Sequence, residues 1–158
     1  MTTRSMFASV LVILLVASSL RADEPVPNAN QLNGRWIVTK LVVDGAEIHV
    51  SKSVESFVFD FDDDLWLYSF VVNGNRTMVS FKVKLTKDDN GISVDAMLRN
   101  GVYENGVCKG ICRFDGDIAR LCLADKPSTA RPDCFECPAD SGLQLFELRR
   151  VKSSDPFQ

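Results

Sequence analysis

The residues at 110–124 read Gly-Ile-Cys-Arg-Phe-Asp-Gly-Asp-Ile-Ala-Arg-Leu-Cys-Leu-Ala, and they predict a β-hairpin. Two largely apolar segments flank Asp115-Gly116, a dipeptide that suits a tight turn because both residue types tolerate a positive φ. Earlier in the chain, Phe57, Phe59 and Phe61 recur at every second position. This period places the three rings on one face of a strand and indicates that the strand is half-buried.

Similar patterns and short turns predict a meander of about eight strands. They are expected at 35–43, 56–61, 65–72, 79–85, 92–99, 101–114, 118–124 and 143–151. No window of a dozen residues has helical periodicity, and a single helical turn is expected at 29–33. Consecutive strands with short links predict an all-β up-and-down barrel, because closure removes exposed sheet edges. A β-sandwich is the alternative.

Gly34-Arg35-Trp36 begins the first predicted strand, and Arg150 lies in the last one. These two features resemble lipocalin-like barrels, which have a G-x-W motif at the start of the first strand and keep an arginine of the last strand against the tryptophan. In a closed meander with an even number of strands, the first and last strands are neighbours. The resemblance therefore predicts that Arg150 lies across the Trp36 indole, with its donors bound to backbone carbonyls at 29–33.

After the hairpin at 110–124, the C-terminal part contains Arg131-Pro132-Asp133-Cys134-Phe135 and then Leu-Phe-Glu-Leu-Arg-Arg at 145–150. Together these segments resemble a family of small exported bacterial domains, known mainly from planctomycetes and of uncharacterised function. The family pattern is roughly G-I-Y-x-x-D-G-D-x-L-x-L-C-x-A, then R-P-x-x-F, then L-x-L-x-R. The resemblance implies kinship but no reaction.

The N-terminus predicts an export signal. Arg4 precedes an apolar run at 10–16 that is too short to span a bilayer stably, and Ala22 ends a segment of small residues suited to cleavage. We therefore expect a signal peptide at 1–22, a flexible lead-in at 23–30, one barrel domain at 31–152 and a flexible tail at 153–158. The expected location is secreted or periplasmic, without attachment to a membrane after cleavage.

Composition narrows the class of partner. The chain has 158 residues, enough for one domain with a substantial core, and its 21 acidic and 18 basic residues give a net charge of −3. Without a basic run it has no electrostatic footprint for nucleic acid or anionic lipid. The expected partners are a small apolar ligand or another protein, and the expected state is a monomer.

The five cysteines predict disulfide bonding, the default in an oxidising compartment. Cys108 and Cys112 on one extended strand would be about 13 Å apart, beyond the reach of a disulfide. We therefore expect at least one bridge from this strand to the loop that holds Cys134 and Cys137. Cys122 lies in an apolar strand and is interpreted as a buried free thiol.

Two other interpretations of the cysteines remain open. Cys108-x₃-Cys112 with Cys134-x₂-Cys137 resembles a four-thiolate zinc set, and Cys134-x-x-Cys137 has the form of a redox motif. Disulfides are favoured over both, so no metal and no cofactor are expected. The sequence has a single histidine, His49, and no G-x-S-x-G or equivalent motif whose serine it would activate. An enzyme is therefore not expected.

The R-P-x-x-F motif has a functional and a structural interpretation. Arg131 at the mouth of a barrel would be able to bind a carboxylate. Alternatively it donates hydrogen bonds to loop carbonyls while Pro132 and Phe135 fasten the loop to the barrel, and this structural role is favoured.

The leading functional hypothesis is a non-catalytic binding module for an apolar ligand or a protein partner. Phe57, Phe59, Phe61 and Phe81 would line its interior. The alternatives are a structural or interaction domain with a packed barrel, and a thiol oxidoreductase or hydrolase. A cavity of several hundred Å³ favours the first hypothesis, and a packed interior favours the second.

Overall fold

The computed structural model describes residues 31–50, 56–88 and 91–152, and nearly all regular structure in these ranges is β-strand. The strands are β1 (Gly34–Val43), β2 (Ala46–Ile48), β3 (Ser56–Asp62), β4 (Leu65–Val72), β5 (Asn75–Asp88), β6 (Gly91–Leu98), β7 (Val107–Asp115), β8 (Ile118–Ala124) and β9 (Leu143–Arg150). The predicted signal peptide, lead-in and C-terminal tail lie outside the described residues.

Eight of these strands close into an antiparallel barrel, as the sequence predicts. Strands β3 to β9 pair in chain order, and β9 pairs with β1 from Trp36↔Arg150 to Val43↔Gln144. The first half of β1 pairs with β3, and its last residues pair with β2 instead. The short β2 is therefore an addition to the barrel. We call the end where β1 begins and β9 ends the closed end, and the opposite end the loop end.

Two strand predictions need correction. β2 was not expected, because its three residues carry no apolar alternation. The strand predicted at 101–114 begins only at Val107, because the residues before it form a turn. Gly101 and Asn105 have φ values of 94° and 64°, and the Asn105 amide donates to the Leu98 carbonyl at 2.8 Å. These left-handed residues return the chain toward β6 before pairing starts.

The barrel interior is filled by large rings on one side and small side chains on the other. The aromatic residues come from β1, β3, β4, β5 and β9: Trp36, Phe57, Phe59, Phe61, Trp66, Tyr68, Phe70, Phe81 and Phe146. Opposite them, β6 to β8 contribute Ala96, Gly110 and Ala119, all buried. A Cβ on Gly110 would lie 2.4 Å from Leu123 Cδ2 and 2.5 Å from the Cys122 carbonyl oxygen. Gly110 is therefore required by close packing between β7 and β8.

The closed end contains the predicted contact between Arg150 and Trp36. The Arg150 Cζ lies 4.3 Å from the centroid of the fully buried Trp36 ring. Its guanidinium donates to the Asn33 carbonyl at 2.7 Å and also to the Gln31 carbonyl. The Trp36 Nε1–H donates to the Leu32 carbonyl at 2.7 Å. Thus one short turn accepts hydrogen bonds from both side chains and covers this end of the core.

Candidate functional site at the loop end of the barrel

The four phenylalanines predicted to line a ligand cavity are core residues. Phe57, Phe59, Phe61 and Phe81 are each at most 6% exposed. The ring centroids of Phe59 and Phe61 are 5.5 Å apart, and Phe59 also meets Phe146 at 5.2 Å. Separations of this size are those of rings in direct contact. These four rings are therefore part of the packed core.

The loop end of the interior is less completely buried. Its inward-facing apolar side chains pack against the core but remain partly exposed: Val43, Ile48, Val50, Tyr68, Phe70, Val79 and Leu98. Toward the closed end, in contrast, Trp36, Phe59 and Leu148 are at most 1% exposed. The interior therefore changes from a fully buried core to a partly accessible apolar surface along the barrel axis.

Polar groups are placed within this surface. Burial raises the pKa of the Tyr68 phenol, with a smaller contribution from the nearby Cys108 thiol. Burial likewise raises the pKa of Cys108, which the Asp125 carboxylate raises further. Gln144 occupies the inward-facing position of β9 between Val43 and Leu123. At neutral pH, Tyr68 and Cys108 are thus uncharged hydrogen-bonding groups beside an apolar surface.

Tyr68 is the residue that sequence reasoning missed at this end. The segment at 65–72 is apolar throughout, which conceals the aromatic side chains that recur at every second position: Trp66, Tyr68 and Phe70. In the structure they pair with Phe61, Phe59 and Phe57 of β3, respectively. The signal that was available is the period of two that appears when only the aromatic residues are considered. That period places the Tyr68 side chain on the same inward face as Trp66 and Phe70.

The loop from 125 to 142 covers the outer wall of β6 to β9. Asp95 faces outward because its neighbours Val94 and Ala96 are core residues. Arg131 pairs with the Asp95 carboxylate and donates to the carbonyls of Val94, at 2.8 Å, and Gly110, at 2.6 Å. Pro132 is buried and Phe135 half-buried. The arginine therefore lies on the outside of the wall, and its acceptors are strand carbonyls rather than the loop carbonyls that were expected.

A shallow groove lies on the same outer wall. Its volume is about 240 Å³, and it is lined by residues of β5, β6 and β7: Lys82, Val83, Lys84, Asp95, Met97 and Val107. Asp95, which binds Arg131, forms part of its lining. Since the groove is outside the barrel, it does not bear on whether the interior holds a ligand.

The structure contradicts the expected pairing of the cysteines. All five are free thiols. Cys108 and Cys112 belong to the inward face of β7, since Cys112 is a core residue and Gly110 between them packs on Leu123. Cys134 and Cys137 lie in the covering loop, on the other side of the wall. The predicted bridge from β7 to this loop is therefore absent, because the wall separates the two pairs.

The same separation disfavours a zinc site built from Cys108, Cys112, Cys134 and Cys137. Four thiolates must meet within bonding distance of one ion, and two of these four face the barrel interior. Within the described ranges, no group of three or more His, Cys, Asp or Glu side chains has the arrangement of a metal site. His49, the only histidine, is exposed just after β2.

Comparison with known proteins adds no family name. No protein-family model matches the chain, and no curated protein matches it either. The kinship with planctomycete-type exported domains, inferred from 110–150, stays a prediction. In the part of the chain that the structure describes, no helix is long and apolar enough to cross a membrane. What is shown is a small, closed, antiparallel β-barrel domain with a partly accessible apolar surface at one end.

Proposed function

We propose that this protein is an exported, non-catalytic binding module of the planctomycete-type family, and that it holds a small apolar ligand at the loop end of its barrel. The observation that supports the proposal is the partly exposed apolar surface there, built by Tyr68, Phe70, Val79 and Leu98 with Val43, Ile48 and Val50. Apolar pockets with a few convergent polar groups are the usual form of a small-molecule site.

The chemistry of this surface favours an uncharged ligand. The Tyr68 hydroxyl and the Gln144 amide supply hydrogen-bonding groups of both kinds. In the described strands, no inward-facing position in this half of the barrel carries Lys or Arg, and Asp125 is close by. A carboxylate or sulfonate would lose its hydration here without a compensating cation. The ligand we propose is an apolar body with a hydroxyl or carbonyl group.

The packed rings support a second candidate, a structural or interaction domain that binds nothing small. Phe57 and Phe146, at the level where the loop-end surface begins, already meet at 6.0 Å between ring centroids. If the remaining volume is also filled, only the outer wall is left for recognition. The two candidates differ in whether a small apolar molecule enters the barrel.

A pair of tryptophan variants tests this difference. Val79→Trp places a large ring into the loop-end surface, and Met78→Trp places the same ring on the outside, where Met78 is 48% exposed. Titration with the neutral dye Nile red should give saturable binding that Val79→Trp weakens by about tenfold, equivalent to about 1.4 kcal/mol, and that Met78→Trp leaves unchanged. An anionic naphthalene sulfonate should bind more weakly than Nile red to the unmodified protein.

Absence of saturable dye binding, or equal binding by the two variants, would establish the packed structural domain instead. Export is tested separately by N-terminal analysis of the protein recovered outside the cytoplasm of its host. The mature chain should begin near Asp23. Recovery of exported protein with Met1 intact would contradict the signal peptide.

A further inference from the structure

Three of the five thiols belong to the region where the covering loop meets β8: Cys122 lies beneath the loop, and Cys134 and Cys137 lie in the loop itself. Cys122 follows Leu121 and precedes Leu123, both core residues, so its side chain faces outward from β8. It is nevertheless fully buried, because the loop lies over it, and its Sγ is 3.8 Å from the Glu136 carbonyl oxygen. The Cys137 Sγ lies 3.0 Å from the Leu143 carbonyl oxygen on the adjacent β9.

Covalent geometry limits how far apart Cys122 and Cys137 are. The Glu136 carbonyl carbon is bonded to the Cys137 nitrogen, so the Cys137 Cα lies about 3 Å from that carbonyl oxygen. The Cys122 Sγ is therefore within about 7 Å of the Cys137 Cα. Within a disulfide, the sulfur of one cysteine lies about 4 Å from the Cα of the other. A movement of the loop by up to about 3 Å would therefore bring the two sulfurs into bonding distance.

The third thiol of this group is accessible. Cys134 is exposed, whereas Cys122 is fully buried and Cys137 half-buried. An oxidant in solution therefore meets Cys134 first. After burial itself, Cys137 and Cys134 are the neighbours that raise the pKa of Cys122, which is consistent with three sulfurs in one small region.

We propose that Cys122, Cys134 and Cys137 form a thiol–disulfide site in which Cys134 is the accessible thiol and a Cys122–Cys137 bond is the stable product. This bond would fasten the covering loop to the barrel wall. The inference rests on the thiol geometry alone and holds whether or not the barrel binds a ligand. Cys122 was interpreted from the sequence as a buried free thiol and is buried and free in this structure; the proposal makes it one half of a disulfide once an oxidant is present.

The chemistry is thiol–disulfide exchange with a low-molecular-weight disulfide such as oxidised glutathione. The Cys134 thiolate attacks one sulfur of that disulfide and releases the first small thiol. The Cys137 thiolate then attacks the Cys134 sulfur and releases the second. Finally Cys122 attacks the Cys137 sulfur through its thiolate, which is a minor species because burial raises the pKa of this thiol to about 12, and Cys134 leaves and is protonated again. Overall, two protein thiols are oxidised and one small disulfide is reduced to two thiols.

Peptide mapping of the oxidised full-length protein tests the product. Cleavage after Arg120 and Glu136 and before Asp125 and Asp133 places Cys122, Cys134 and Cys137 on three different peptides. Oxidation with oxidised glutathione should lower the mass by about 2 Da, as expected for one disulfide. Under non-reducing conditions the peptides of Cys122 and Cys137 should be linked, with Cys134 alkylated.

Single variants distinguish the roles of the thiols. Cys137→Ser should abolish the linkage to Cys122, whereas Cys134→Ser should still reach it, at least about tenfold more slowly, because the accessible thiol is gone. Near-ultraviolet circular dichroism confirms that each variant is folded. If a serine variant is not folded, the alanine variant at the same position, Cys134→Ala or Cys137→Ala, replaces it. A final product linking Cys134 to Cys137 with Cys122 alkylatable would overturn the proposal, as would equal oxidation rates in the Cys134→Ser variant and the unmodified protein.

Discussion

Substitution of Arg150 by lysine tests how the barrel is closed. Arg150 stacks on the Trp36 indole at 4.3 Å and donates to the carbonyls of Asn33 and Gln31. Lysine keeps the positive charge but has no planar group to stack and only one nitrogen to donate from. The variant should therefore separate the geometry of the guanidinium from its charge.

The structure sets the expected size of the effect. A partly desolvated cation–π contact is worth about 1–2 kcal/mol, and a hydrogen bond from a charged donor about 1.5–3 kcal/mol. Because lysine can restore part of the hydrogen bonding, we expect a net loss of about 2 kcal/mol in the free energy of unfolding. In a domain of this size, that loss lowers Tm by about 6–10 °C.

Arg149→Lys is the matched control on the same strand. Arg149 faces the other side of β9, and it donates to the Arg150 carbonyl at 3.4 Å, a long hydrogen bond. Its replacement should change the stability by about 0.5 kcal/mol or less. Thermal and urea unfolding of the two variants give the comparison. Equal Tm values for Arg150→Lys and Arg149→Lys would refute the role of the Trp36 contact in closing the barrel.

Two further predictions concern the β7–β8 wall. Gly110→Ala should lower the free energy of unfolding by about 1–3 kcal/mol, because the added Cβ would lie 2.5 Å from the Cys122 carbonyl oxygen. Lys109→Ala changes the exposed neighbouring residue and should be nearly neutral. Equal urea midpoints for the two variants would contradict the close packing at Gly110. The stability of the reduced protein should fall above about pH 8.5, where thiols of the unfolded chain ionise. Burial raises the pKa of Cys112 and raises that of Cys122 to about 12, so both stay protonated in the folded state. The stability is then fully present below the unfolded pKa and is lost with rising pH by up to about 1.4 kcal/mol per unit for each thiol. Urea unfolding at pH 7, 9 and 10 measures this slope, and Cys112→Val should make it smaller; an unchanged slope would mean that Cys112 already ionises in the folded protein.

The alternation of residue types determined most of the barrel. A strand has a period of two whatever lies beside it, so the Phe57–Phe61 pattern and the turn at Asp115-Gly116 indicated β3 and the β7–β8 hairpin directly. An even number of antiparallel neighbours then brings the start of β1 beside the end of β9. The contact of Arg150 with Trp36 was predictable for this reason, with the help of the resemblance to lipocalin-like barrels.

Alternation was less informative where both faces of a strand are buried. Leu121, Cys122, Leu123 and Ala124 form a continuous apolar run, because the core covers one face of β8 and the loop at 125–142 covers the other. Such a run does not indicate which side chains face inward. In β1, a register shift between Val38 and Lys40 also moves the inward face from even to odd positions, and no residue type marks it.

The sequence by itself therefore determined the class of fold, the order of the strands and the residues that close the barrel. Only the tertiary structure decided on which side of the wall each cysteine lies, that Arg131 binds the outside of β6 and β7, and that the loop end is less buried than the closed end. The first group depends on local periodicity and on the number of strands. The second depends on where an aperiodic loop of the chain packs, and that is settled by contacts between residues far apart in sequence.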